Sequence, residues 1–137
     1  MNVQIYLFFD GCCEEAVEFY RRSLGAEVNK LLRYKDSPQP PPPDKVTPGS
    51  DDKIMHAELR VGDTFFMASD GCNAGTPSFQ GFSLSLAASD ATEAKRLFDA
   101  LADGGQVRMP LGPTFWSPCF GMVADRFGVS WMVNALT

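Results

Sequence analysis

Residues 6–28 decide the fold, and they read Tyr6-Leu-Phe-Phe-Asp-Gly-Cys-Cys-Glu-Glu-Ala-Val-Glu-Phe-Tyr-Arg-Arg-Ser-Leu-Gly-Ala-Glu-Val28. An apolar segment leads into an amphipathic helix pattern, which a glycine closes before the next apolar segment begins. Residues 82–107 repeat this order with Phe82-Ser-Leu-Ser-Leu86, Glu93-Ala-Lys-Arg-Leu-Phe98 and Gly104-Gly-Gln-Val107. The offset of 78 or 79 residues far exceeds a solenoid repeat, so it indicates two paired modules.

The repeat continues into the last part of each half, at a shorter offset. Val61-Gly-Asp-Thr-Phe-Phe-Met67 corresponds to Arg126-Phe-Gly-Val-Ser-Trp-Met132, 65 residues further on. A proline-rich segment at 35–52, present only in the first half, accounts for the difference. The pattern predicts a first βαβββ module at 1–70, a link at 71–78 and a second module at 79–137.

The predicted elements follow from apolar periodicity and from helix end signals. An apolar stripe beginning at Cys13 and a glycine at position 25 define the first helix, and Asp90-Ala-Thr-Glu93 opens the second like a capping box. The segment Val3–Phe9 is apolar on both faces, which is typical of a strand that is covered on both sides. Further strands are predicted near 26–34, 54–61, 64–69, 105–110, 119–125 and 129–135.

Composition excludes several classes of protein. The 137 residues are 45% hydrophobic and 21% charged, which is ordinary for a globular domain. A net charge of −5 argues against nucleic acid as a partner. No apolar run is long enough to span a bilayer, and the N-terminus lacks signal-peptide features, so we expect a cytoplasmic protein without a membrane partner. The four cysteines form no CxxC pair, and we expect reduced thiols.

Several motifs resemble the PhnB-like branch of the vicinal oxygen chelate superfamily, which contains glyoxalases, bleomycin-resistance proteins and extradiol dioxygenases. They are the opening segment through Tyr20, Met55-His-Ala-Glu-Leu-Arg-Val-Gly-Asp63, Phe66-Met-Ala-Ser-Asp70 and the long run from Phe115 to Trp131. The resemblance implies an α+β fold of two βαβββ modules, whose curved sheets face each other around a cavity. It also implies a homodimer.

Metal enzymes of this superfamily draw their ligands from the first and last strands of each module. Here those strands hold none of the residues His, Asp, Glu or Cys that bind a divalent ion. We therefore expect no metal site and no cofactor. The strands are Val3–Leu7, Thr64–Ala68, Phe82–Leu86 and Ser130–Asn134.

Two functions remain open for such a chain. The first is a metal-free protein that binds a small organic molecule in an apolar cavity. The alternative is an enzyme of lyase, isomerase or dioxygenase type with an atypical active site that uses Tyr6, His56 or Asp70. His56, the single histidine, is either a structural residue or a ligand contact and general base. The ligand-binding candidates are Tyr6, Phe8, His56, Met67, Trp116 and Trp131.

Three further expectations complete this interpretation. Some PhnB-like sequences carry a description that refers to a ubiquinone methyltransferase, but the paired glycines 104 and 105 follow a helix and read as a helix stop, not as a cofactor loop. The proline run in 35–52 favours an extended segment, which is a loop excursion, a lid or a dimer arm. The net charge slightly favours neutral or cationic ligands over anions.

Overall fold

The structure is a computed structural model and describes residues 1–37, 51–71 and 78–137. Its elements repeat in two units, Met1–Pro77 and Ser78–Thr137. The first unit contains β1 (Tyr6–Phe8), α1 (Cys13–Leu24), β2 (Glu27–Arg33), β3 (Ile54–Val61) and β4 (Thr64–Ser69). The second unit contains β5 (Leu84–Ala88), α2 (Ala91–Ala102), β6 (Gln106–Gly112), β7 (Phe120–Ala124) and β8 (Ser130–Ala135).

Each unit forms one four-stranded sheet with the same topology. The strand order is β1-β4-β3-β2 in the first sheet and β5-β8-β7-β6 in the second. The first and last strands of each unit pair in parallel, and the other neighbours are antiparallel. Two βαβββ modules with an α+β fold are therefore confirmed. The proline-rich segment lies mostly outside the described residues, so its role as loop, lid or arm stays a prediction.

Both helices begin and end where the sequence signals place them. Gly25 follows α1 in the left-handed conformation, with φ of 67°, and its N–H donates to the Tyr20 carbonyl. The Asp90 side chain accepts the N–H of Glu93 at 2.8 Å, which caps the start of α2. Gly104, with φ of 78°, follows the end of α2, which confirms the helix stop predicted from the paired glycines.

In the first unit, the apolar stripe of α1 covers one face of the sheet. The Tyr20 ring lies 6.1 Å from the Phe66 ring of β4 and 6.4 Å from the ring of Phe9. Leu7 is buried on the same face. The expectation that β1 is covered on both sides is wrong within this unit, because Tyr6 and Phe8 are exposed on the other face.

In the second unit, α2 packs closely on β7. A side chain at Gly121 would come within 2.7 Å of the Phe98 ring, so only glycine permits this approach. Val133 and Trp131 of β8 are buried on the same side of the sheet. Each sheet thus has a face whose residues are buried and a face that carries exposed or half-buried residues, here called its open face.

Candidate functional site

The open face of the first sheet brings together four of the predicted binding residues. Strand register places Met67 of β4 directly between Tyr6 of β1 and Glu58 of β3. In the next row, Ser69 is the partner of Phe8. His56 is two residues from Glu58 along β3 and therefore shares its face. We call Tyr6, Phe8, His56 and Met67 the aromatic cluster.

A hydrogen bond joins the two polar members of this cluster. The Tyr6 hydroxyl lies 3.0 Å from Nδ1 of His56, although β4 separates their two strands. When the tyrosine donates to Nδ1, the imidazole carries a proton on Nε2, which is then a hydrogen-bond donor. When Nδ1 donates instead, the tyrosine hydroxyl is free to donate elsewhere. The pair therefore offers a hydrogen-bond donor with either assignment.

Tyr6 and Phe8 form a stacked aromatic surface, and the His56 ring beside them is tilted by 44° from the Tyr6 ring. Tyr6 and Phe8 are stacked, with ring centroids 4.9 Å apart and an interplanar angle of 26°. The His56 ring lies 5.7 Å from the Tyr6 ring. Phe8 is 48% exposed, so this surface is accessible within the unit. Stacked rings of this kind favour contact with another flat apolar group.

Charged residues lie beside the cluster on β2 and β3. Glu58 lies in the row of Tyr6, opposite Lys30 of β2. At the far end of the sheet, Arg60 forms an ion pair with Glu27. Among the ion pairs of the described ranges, none joins His56 to Glu58, and the imidazole Nδ1 lies within hydrogen-bond distance of the Tyr6 hydroxyl.

Asp70, which the enzyme alternative included, has a structural role. Its side chain is buried, and one carboxylate oxygen accepts the N–H groups of Gly11 and Cys13 at 2.7 and 2.9 Å. The other oxygen accepts the N–H of Ile54 at 2.8 Å. All three donors belong to the backbone. Asp70 therefore holds the start of α1 and the start of β3 at the end of β4.

The thiols near Asp70 are not activated nucleophiles. Burial raises the pKa of the Cys13 thiol well above its ordinary range, and the neighbouring Asp70 carboxylate adds to the shift. Burial also raises the pKa of Cys12. Both thiols therefore stay protonated near neutral pH, whereas nucleophilic and metal-binding cysteines are thiolates. Cys12, Cys13 and Cys119 form no disulfide bonds.

The two tryptophans predicted for the site lie in the second unit, in different settings. Trp116 is 56% exposed in the loop between β6 and β7, and its ring lies 5.4 Å from the ring of Phe120. Trp131 is only 3% exposed, and its indole N–H donates to Asp125 at 2.9 Å. Trp131 thus belongs to the core of its unit, where its ring is not exposed.

Within residues 1–37, 51–71 and 78–137, no group of three or more His, Cys, Asp or Glu side chains is arranged to hold a metal ion. The first and last strands of each unit present tyrosine, methionine, serine and asparagine on their open faces. Thioether and phenol groups are poor ligands for Mg²⁺, Mn²⁺ or Zn²⁺. No helix in the described part of the chain is long and apolar enough to cross a membrane.

Comparison with known proteins identifies the family. A family model described as 3-demethylubiquinone-9 3-methyltransferase matches residues 1–134. The chain belongs to this family. Protein YjdN from Escherichia coli (strain K12) is 37% identical over 143 residues, which cover 99% of this chain and 96% of YjdN.

Solved structures extend this family likeness to the fold. Protein PA1353 from Pseudomonas aeruginosa is 47% identical, with a TM-score of 0.83 and 98% of each chain covered. A putative 3-demethylubiquinone-9 3-methyltransferase, PhnB protein, from Bacillus cereus is 28% identical, with a TM-score of 0.80 and coverage of 98% and 99%. A glyoxylase/bleomycin resistance protein/dioxygenase domain from Frankia is 13% identical with a TM-score of 0.70, covers 98% and 96%, and shares the fold alone. The PhnB-like family thus has the fold of the vicinal oxygen chelate superfamily.

Sequence reasoning identified the residues of the aromatic cluster but not their contacts. Apolar runs and periodicity placed Tyr6 and His56 on strands, whereas their hydrogen bond depends on β4 lying between these strands. The parallel pairing of β1 with β4 is a long-range feature that local patterns do not encode. Polar residues on the open face of the second sheet, including Arg108 and Asn134, gave no motif signal and were missed.

Proposed function

We propose that this PhnB-like protein binds a small organic molecule on the open face of its first sheet, without a metal ion. The observation that carries the proposal is the aromatic cluster itself. Tyr6, Phe8, His56 and Met67 come from three strands and lie on one face, where two are stacked and two are hydrogen bonded. Binding sites for small molecules commonly combine such an apolar surface with a few polar groups.

The chemistry of the cluster defines the ligand it favours. The stacked rings suit a flat aromatic or an aliphatic body, and the half-buried Met67 provides an adaptable apolar contact. His56 and Tyr6 supply a hydrogen bond to a carbonyl or hydroxyl group. Covering about 100 Å² of apolar surface contributes roughly 2.5 kcal/mol before the cost of association. Trp116 remains a separate candidate contact on the second unit.

The second candidate function is an enzyme of the same superfamily with an atypical active site. The Tyr6–His56 hydrogen bond favours it, because such a pair can act as a general acid or base in an isomerase or lyase reaction. The family description names a methyltransferase. The residues give methyl transfer no support. A nucleotide-type cofactor binds a glycine-rich loop that precedes a helix, whereas the paired glycines follow α2, and Gly105 approaches the backbone of β7.

We also propose that the protein is a cytoplasmic homodimer. The open edges and exposed apolar residues of both sheets support a second copy as partner, because an exposed strand edge gains from being covered. The free thiols of Cys12, Cys13 and Cys119 are consistent with a reducing compartment. We propose no nucleic-acid or membrane partner, since the net charge of −5 opposes phosphate binding.

Two experiments test the proposed function. Elemental analysis of protein purified without added metal should find no stoichiometric Zn, Ni, Fe or Mn. A thermal-shift screen of aromatic and aliphatic compounds should find ligands whose stabilisation persists in a chelator. Stoichiometric metal that is lost on chelation together with ligand binding would contradict the metal-free proposal. Turnover of a screened compound, reduced in Tyr6→Phe, would favour the enzyme.

A further inference from the structure

The open face of the second sheet carries its own set of polar and apolar groups. Strand register places Met109, Met122 and Met132 side by side on β6, β7 and β8. Ser85 of β5 continues this row beyond Met132. Three thioethers in one row form a soft, polarizable surface that adapts to different apolar shapes.

A guanidinium group lies at one end of this face. Nη1 of Arg108 donates to Oγ of Ser130 at 3.0 Å, so its side chain reaches from β6 across β7 to β8. Among the ion pairs of the described residues, none includes Arg108. A guanidinium has five N–H donors, and one hydrogen bond leaves most of them for a carboxylate.

An unsatisfied acceptor lies further along the same strand. Asn134 shares the open face with Ser130 and Met132, since every second residue of a strand points to the same side. Its Oδ1 atom is buried and, within the described ranges, accepts no hydrogen bond. A buried carbonyl oxygen without a donor is costly, so a ligand hydroxyl or N–H at this position would be favourable.

The spacing of these groups sets the length of the ligand. Ser130 and Asn134 are four residues apart on β8, which corresponds to about 13 Å between their Cα atoms. A hydrogen bond of about 2.9 Å at each end leaves roughly 7–8 Å for the ligand. Met132 lies midway between them. Phe120, the strand partner of Asn134, meets the Trp116 ring edge to face, with ring centroids 5.4 Å apart.

We propose that the open face of the second sheet binds an elongated organic monocarboxylate. Arg108 and Ser130 hold its carboxylate, the methionine row contacts its apolar body, and Asn134 accepts a hydroxyl or N–H at its far end. The residues of this site all belong to the second unit, and the inference does not depend on the function proposed for the aromatic cluster. The overall charge of −5 disfavours the anion only weakly, because salt screens distant charges, and the proposed site places the Arg108 guanidinium against the carboxylate.

A series of naphthalene probes tests this inference on the wild-type protein by isothermal titration calorimetry. The compound 6-hydroxy-2-naphthoate carries a carboxylate and a hydroxyl at opposite ends of a flat apolar body. We expect it to bind at least about tenfold more tightly than 2-naphthoate, which lacks the hydroxyl, and than 2-naphthol, which lacks the carboxylate. Equal affinity for all three, or binding of none, would overturn the inference.

Three variants locate the site. Arg108→Leu should weaken 6-hydroxy-2-naphthoate about tenfold, and Arg108→Lys should weaken it less because the charge is kept. Asn134→Leu should remove the preference for the hydroxylated probe and leave 2-naphthoate binding unchanged. Arg96→Leu, which removes an equal charge from an exposed position of α2, is the matched control and should bind like the wild type. Equal loss of binding in Arg96→Leu and Arg108→Leu would overturn the assignment.

Labelled methionine methyl groups report binding in the wild-type protein itself. Addition of 6-hydroxy-2-naphthoate to wild-type protein with ¹³C-methyl methionine should shift the signals of Met122 and Met132. Methionine-to-leucine substitutions assign these two signals. Binding without a shift at either methionine would place the probe away from this row and contradict the proposal.

Discussion

At the scale of single residues, Asp70 has the largest structural role that we assign in the first unit. Its two oxygens accept three backbone N–H groups, those of Gly11, Cys13 and Ile54. A buried carboxylate is normally unfavourable, but three short hydrogen bonds from fixed donors compensate for its desolvation. The α1 N-terminus thus receives its cap from the end of β4, since Cys12 makes no side-chain cap bond.

Replacing this carboxylate should be strongly destabilising. Asp70→Ala leaves three N–H groups without their acceptor, and we expect the free energy of unfolding to fall by about 3 kcal/mol. Urea denaturation followed by circular dichroism measures the change. Glu15→Ala, which removes an exposed acid from the first turn of α1, is the control and should cost at most about 0.5 kcal/mol. Equal effects of the two substitutions would contradict the role of Asp70.

The thiol of Cys13 allows a second test at this scale. Because burial raises its pKa, the folded protein contains almost no Cys13 thiolate at pH 8, whereas an unfolded thiol is partly ionised there. Cys13 is also fully buried. Iodoacetamide at pH 8 should therefore modify Cys13 much more slowly in native than in urea-unfolded protein, as measured by peptide mass spectrometry. Similar rates in both states would contradict the buried, protonated thiol.

At the scale of elements, the turn from α2 into β6 depends on a close approach of two backbones. A Cβ atom added at Gly105 would lie 2.2 Å from the carbonyl oxygen of Ala124, which is backbone and cannot rotate away. At Gly112, the last residue of β6, the same atom would meet nothing within 4 Å. Gly105 just before β6 and Gly112 at its end therefore differ mainly in the space available for a side chain, so their alanine variants can be compared directly.

Alanine at these two positions should have different effects on stability. Gly105→Ala should lower the free energy of unfolding by about 1–3 kcal/mol, because β6 must shift away from β7. Gly112→Ala should be neutral or slightly stabilising, since alanine restricts the unfolded chain. Thermal unfolding of both variants under identical conditions measures the difference. A Gly105→Ala protein as stable as the wild type would show that the turn is looser than described.

Local patterns predicted most elements well, for physical reasons that the structure shows. Strands β3 and β4 begin and end at the predicted residues, because Gly62, with φ of 57°, makes the turn between them unambiguous. The prediction for β1 failed in two ways, since the strand begins at Tyr6 instead of Val3 and only one of its faces is buried. Apolar character alone cannot distinguish a covered face from an exposed aromatic surface.

The site was harder to predict than the elements. The residues of the aromatic cluster were identified because aromatic and imidazole side chains on strands are chemically distinctive. Trp131 was chosen on the same grounds, but its Asp125 partner lies in the β7–β8 turn and draws it into the core. Arg108 was missed because a single arginine in an apolar strand gives no periodic signal, and its contact with Ser130 depends on sheet order.

At the scale of the whole molecule, the chain is a tandem of two similar units with different surfaces. The first open face is aromatic and carries a Tyr–His pair, and the second is rich in methionine and carries an arginine. A duplicated fold with divergent faces can keep its core while each face acquires its own chemistry. The two proposed binding properties therefore rest on different residues in the two units.

The homodimer is a prediction at this scale. Light scattering coupled to size-exclusion chromatography should give about twice the 15.0 kDa chain mass at micromolar concentration. Because exposed apolar strand residues drive the proposed association, the dimer should resist added salt. A stable monomer of chain mass over the same concentration range would contradict the prediction.

The central claim is that the aromatic cluster binds an organic ligand without a metal. The most direct measurement is the dissociation constant of a ligand found by thermal-shift screening, determined by calorimetry in excess EDTA. We expect the wild type to bind as tightly as without EDTA, and Tyr6→Ala to bind about tenfold more weakly. Val28→Ala, which alters an exposed residue on the other face of the same sheet, should change nothing. Loss of wild-type binding in EDTA, or unchanged affinity in Tyr6→Ala, would contradict the account.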